Sequence, residues 1–144
     1  MNDYNEEPTP VTRQLVPEDQ RLAVVEQLFG IHFPLRTEPV IYGQTGKMTQ
    51  GQYRGGYWHF YTLDNGGFYM APEGDQTYLV SCDNYWQGEL SADALGIVAC
   101  LYAYSHLSFS RYQAFAQICA QHYHFLREFM MDHAEVAAIL GAID

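Results

Sequence analysis

Residues able to do chemistry fall in four places along this chain. Cys119 and His122 lie three apart in a helical stretch and share a face. His124, Glu128 and Asp132 recur every four residues and define a second stripe. Either would supply half a metal site, and Cys119, His122 and His124 together would make a small metal-dependent enzyme. Zinc wants three or four ligands in tetrahedral geometry, however, and no HExxH or CxxC supplies them. The pattern instead puts Cys119 in an apolar core and His124, Glu128 and Asp132 on a solvated face. Gly43-Gln44-Thr45-Gly46-Lys47-Met48-Thr49 has the outline of a phosphate loop, but it fails in detail. The motif needs glycine at position 41, which is Ile41, and Ser or Thr after the lysine, where Met48 stands. His59, between Trp58 and Phe60, is a candidate general base. No Ser or Cys sits in a nucleophile context, so it reads as a packed strand histidine. No catalytic residue, cofactor or metal is expected. The fourth place is aromatic: Tyr53, Tyr57, Trp58, Tyr61, Phe68, Tyr69, Tyr85 and Trp86 are too many rings for one sheet face. Most should fill a core, and Tyr53, Tyr85 and Trp86 are candidates for an interface, where exposed Trp and Tyr act as anchors.

Composition narrows the class. The chain has 144 residues, which implies one domain over 1–144 with a core large enough to need no disulfide. Three cysteines without a CxxC read as free thiols. Residues 1–7 are polar and acidic, unlike a signal peptide, and no apolar run reaches the ~18 residues of a membrane span. The expected location is cytoplasmic. Net charge is −10 with only seven Lys and Arg, which argues against direct nucleic-acid binding. Acidity raises the alternative of a DNA mimic in a basic cleft. The charge is spread evenly, however: −4 over residues 1–38, −3 over 39–90 and −3 over 91–144. A mimic should gather its acids into rows.

The elements that would position these residues follow from periodicity. Residues 1–12, with Pro8 and Pro10 among acids, read as a mobile arm. Pro17 starts a helix whose stripe is Leu22, Val25, Leu28 and Phe29, capped by Gly30. Val40-Ile41-Tyr42 reads as a short strand after breaks at Pro34 and Pro39, and 43–56 as a glycine-rich loop. Two aromatic runs flank Asn65-Gly66, a hairpin signature ending at Pro72. Thr77 to Cys82 is a further strand, followed by a polar stretch around Tyr85 and Trp86. Ser91 caps a helix to about Tyr104 or His106, with Asp93 in its first turn. A second helix, capped by Ser108 or Ser110, carries Tyr112, Phe115, Ala116, Cys119, Tyr123, Leu126 and Met130 inward to about Met131. A last short helix follows Asp132 or His133. Strands and helices are segregated, so the class is α+β: a small antiparallel meander with an N-terminal helix and about three C-terminal helices packed on it.

Two segments resemble the ArdB/KlcA family of antirestriction proteins of bacterial plasmids and other mobile elements. One is Val11-Thr12-Arg13-Gln14-Leu15-Val16-Pro17-Glu18-Asp19-Gln20-Arg21, running into Leu28-Phe29-Gly30. The other is Trp58-His59-Phe60-Tyr61 through Leu63-Asp64-Asn65-Gly66-Gly67-Phe68-Tyr69-Met70-Ala71-Pro72. The resemblance implies a small α+β domain that inhibits host type I restriction–modification enzymes and so protects incoming DNA, without catalysis. The implied partner is such an enzyme or a factor controlling it, with neither nucleic acid nor membrane bound. The candidate contact surface is the hairpin and its neighbouring loops: Tyr53, Tyr57, Trp58, Tyr61, Asn65, Tyr85 and Trp86.

Overall fold

A computed structural model describes residues 9–144. Ten elements follow in order: β1 (Arg13–Leu15), α1 (Arg21–Phe29), α2 (Glu38–Met48), β2 (Trp58–Leu63), β3 (Phe68–Pro72), β4 (Thr77–Ser81), β5 (Gln87–Ser91), α3 (Ala92–Leu107), α4 (Gln113–Met130) and α5 (Val136–Ile143). The class is α+β, as expected. The strands divide into two antiparallel sheets, β1-β2-β3 and β4-β5.

The hairpin is where the sequence puts it. Trp58 pairs with Pro72 and Thr62 with Phe68. Gly66 turns the chain at φ 99°, a left-handed angle that glycine adopts without strain. Asn65 holds the turn by accepting from the Gly67 N–H, and it donates across to the Phe125 carbonyl of α4. Trp58, Phe60 and Leu63 are buried on β2, and every residue of β3 is buried.

Helix α3 is the central element. It is buried nearly all round rather than along the single stripe of Leu95, Val98, Ala99 and Tyr102, as suits a helix covered on every side. Ser91 caps it as expected, accepting from the Ala94 N–H. Its Gly96, Cys100 and Tyr104, spaced by four, run along the free edge of β3. The register points the Phe68 and Met70 carbonyls away from β2. Tyr104 donates its hydroxyl to the first at 2.6 Å and Cys100 its thiol to the second at 3.6 Å. An open sheet edge is thereby closed by a helix.

Five expectations need correction. The segment read as strand and glycine loop is α2: Pro39 sits in the first turn of the helix, where its missing N–H costs nothing. Ile41, Thr45 and Met48 are buried at helical spacing, and that packing overrides the poor propensity of Gly43 and Gly46. The proposed arm falls partly outside the described residues. Within them, Thr12 bonds Asp64 through both its N–H and its hydroxyl, and β1 follows at once on β2. The polar stretch after Cys82 turns at Tyr85 and returns as β5, so Thr77–Ser81 pairs forward and not with the hairpin. Leu22, assigned to the stripe of the first helix, is 84% exposed, and a short 3-10 turn at Glu18–Gln20 precedes α1. The caps of α4 and α5 fall on Tyr112 and Glu135, a few residues beyond those expected.

Candidate functional site

The seven candidate contact residues do not form one surface. Trp58 is 3% exposed, a core residue whose indole N–H donates to the Tyr53 hydroxyl. It is therefore corrected from contact anchor to scaffold. Tyr53 is half-buried against the edge of that indole. Tyr61 is half-buried and stacked on Tyr69, with the Arg13 guanidinium 4.2 Å from its ring centroid. Asn65 is tied into the turn. Trp86 seats its ring against the backbone of Gly88 and Gly141. Only Tyr57 and Tyr85 stay open, and Tyr85, at 94% exposure, stands free at the tip of the β4–β5 turn with φ 70°.

The candidate chemical residues also separate. Cys119 is fully buried and His122 is packed between Phe29, Tyr104 and Phe125. His124, Glu128 and Asp132 are exposed. Among the described residues no three His, Cys, Asp or Glu side chains gather as metal ligands would. His59 lies between the rings of Tyr57 and Tyr61. No helix among the described residues is long and apolar enough to cross a membrane.

A polar network that the sequence did not announce joins β1, β3, α3 and the start of α5. Asp93 accepts from Arg13 at 2.7 Å, from the Tyr69 hydroxyl at 2.8 Å and from His133 Nε2 at 2.8 Å. Glu135 extends it, accepting from the Ser91 N–H at 3.0 Å and from the Ser91 hydroxyl at 2.5 Å. The Asp–His pair has the outline of a catalytic dyad, but it lacks a free base. The Glu135 N–H donates to His133 Nδ1 at 3.0 Å, so the ring proton sits on Nε2 and no lone pair faces solvent. The network is a clamp. Burial pushes the Asp93 carboxyl up, but the bonds from His133 and Tyr69 and the Arg13 charge outweigh it and hold the carboxyl below its ordinary value of 3.8. Burial and the Asp93 charge push the Tyr69 hydroxyl well up.

Asp93→Asn should therefore lower stability by about 2 kcal/mol, because in either orientation its amide N–H meets another donor, the His133 N–H or the Arg13 guanidinium. Urea denaturation at pH 7 reads the loss. The folded pKa is depressed, so this contribution is complete above the ordinary carboxylate pKa and fades as pH falls through the folded value. The Asp93→Asn deficit should shrink in the same window.

With the geometry in place, comparison with known proteins defines the class. A family model described as antirestriction protein matches residues 51–144. An Escherichia coli protein named antirestriction protein KlcA is 45% identical over 95% of this chain and 96% of its own length. A second Escherichia coli KlcA is 43% identical over 97% of this chain and 99% of its own. A solved structure superposes with a TM-score of 0.87 at 43% identity, covering 97% of this chain and 99% of that one. That work describes the KlcA and ArdB proteins as having a novel fold and antirestriction activity against Type I DNA restriction systems in vivo but not in vitro. The chain belongs to the ArdB/KlcA family of antirestriction proteins.

Proposed function

We propose that this chain protects incoming mobile DNA in the bacterial cytoplasm by antagonising type I restriction–modification enzymes through protein contact, without catalysis. The observation that carries the contact reading is the behaviour of the related KlcA and ArdB proteins, active in vivo but not in vitro. A DNA mimic needs only the enzyme's cleft and would block purified enzyme. Activity confined to the cell points to a further component, so the proposed contact is with a factor that controls the restriction complex. The acids here support that reading against mimicry: Asp93, Asp83 and Asp144 each pair with a cation of the same chain. Tyr57, at the start of the hairpin, and Tyr85, at the tip of the β4–β5 turn, are the proposed contact residues.

A cleavage assay with purified type I endonuclease tests this reading. The purified chain alone should leave cleavage unchanged up to large molar excess, and host extract should restore inhibition. Stoichiometric, salt-sensitive inhibition of the purified enzyme, competed by DNA, would establish the mimic instead.

A further inference from the structure

This chain has seven Lys and Arg, of which Arg54 stands exposed ahead of β2 with no ion pair among the described residues. Arg13, Lys47 and Arg127 pair with carboxylates, and Arg21 is used internally, donating to the Tyr57 hydroxyl and the Trp58 carbonyl. Arg36 and Arg111 are different. They come from segments far apart in sequence, the π-helical turn Phe33–Thr37 and the loop before α4, and converge on one ring. The Arg36 guanidinium lies 4.2 Å and that of Arg111 5.1 Å from the centroid of Tyr112. Arg111 also donates to the Tyr112 hydroxyl at 3.0 Å. Arg36 donates to His32 Nδ1 at 2.9 Å, and the His32 ring is fixed by stacking on buried Phe115 at 4.4 Å. Among the described residues no carboxylate pairs with either arginine. Two like charges are thus held together by packing, uncompensated, on a protein of net charge −10. Their effect is local and visible: the two cations hold the Tyr112 hydroxyl below its ordinary value, Arg111 most strongly.

The same two segments expose large apolar side chains. Phe109 is 88% exposed, two residues before Arg111, and Leu35 is 59% exposed, next to Arg36. Arginine, tyrosine and phenylalanine are enriched in protein interfaces, and arginine and tyrosine at their hot spots. A polyanion such as nucleic acid fits poorly, since two cations would face phosphates against the repulsion of the remaining surface. Carboxylates flanked by apolar side chains fit both halves of the patch.

We infer that Arg36, Arg111 and Tyr112, with Phe109 and Leu35 beside them, form a docking surface for an acidic segment of a partner protein that also presents apolar side chains. The guanidinium forks take its carboxylates in bidentate fashion, and Phe109 and Leu35 take its apolar residues. The inference rests on the reading that the chain acts by protein contact, and it adds a second surface apart from Tyr57 and Tyr85.

Two experiments test it. In the first, labelled protein is titrated with a synthetic peptide of alternating Glu and Phe, with inorganic phosphate and with duplex DNA, while the arginine side chains and Tyr112 are followed by NMR. The peptide should shift the signals of Arg36, Arg111, Tyr112 and Phe109, and raised salt should weaken the effect. Silence of these signals, a stronger response to DNA or phosphate, or self-association through them would overturn the inference. In the second, wild type and the pair R36E/R111E are compared for protection of unmodified phage. The pair should keep its melting temperature and lose protection by more than about tenfold. If the reversed pair folds poorly, R36Q/R111Q takes its place with the same expectation. Wild type without protection would remove the functional reading itself. Protection by wild type with equal protection by the folded double variant would remove this surface alone.

Discussion

Gly96→Ala should destabilise this protein by about 3 kcal/mol, although the same change in an ordinary helix stabilises by up to ~1 kcal/mol. A Cβ at position 96 would sit 2.4 Å from the Ala71 Cβ, 2.4 Å from the Met70 carbonyl oxygen and 2.5 Å from the Ala71 Cα. None of these is a flexible side-chain end, so relief requires α3 and β3 to separate. Separation stretches the two bonds that close the β3 edge, from Cys100 to Met70 and from Tyr104 to Phe68, each a contribution of about 1 kcal/mol. It also loosens the most buried helix of the molecule. Gly96→Val adds two further methyl groups and should abolish folding at 37 °C. Urea denaturation of Gly96→Ala is the check, and a variant as stable as wild type or more so would mean that the helix rides further from the strand.

Acid should weaken the fold below about pH 6.5 through His122. Its ring is 4% exposed among Phe29, Tyr104 and Phe125, and Nδ1 has no hydrogen-bond partner. Burial favours the uncharged ring and lowers the pKa from 6.5 to about 4. Between these values the unfolded chain binds a proton that the folded chain does not, so stability rises with pH across the window. The drop from 6.5 to about 4 amounts to about 3 kcal/mol lost when pH is taken from neutral to below 4. This window lies above that of Asp93, so the two separate in a pH series. His122→Phe should flatten the slope between pH 4 and 6.5 and leave the lower one in place. A variant with the wild-type slope would assign the acid sensitivity elsewhere.

Local signals were legible in the sequence, and long-range ones were not. Asn65-Gly66 between aromatic runs, Ser91 before an alanine-rich helix and the stripe of Phe115, Cys119, Leu126 and Met130 each fit within a few turns of chain. Helix α2 was hidden because Gly43 and Gly46 argue for a loop, while Ile41, Thr45 and Met48 are helical only through what they pack against. Strand β1 has all three residues exposed and no alternation to read, and it exists because β2 offers it an edge. The candidate site suffered most. Whether a tryptophan is core or anchor depends on its neighbours, and Trp58 has Tyr42 and Tyr53 packed edge-on against it. The Asp93 clamp joins residues 80 and 40 positions apart, and the Arg36–Tyr112–Arg111 cluster closes a similar gap. No motif search sees such pairs.

The plating efficiency of unmodified phage on a host with a type I restriction system, with and without this chain, tests the central claim most directly. Expression should raise plating towards that of modified phage. Unchanged plating with the protein folded and abundant in the cells would contradict the account.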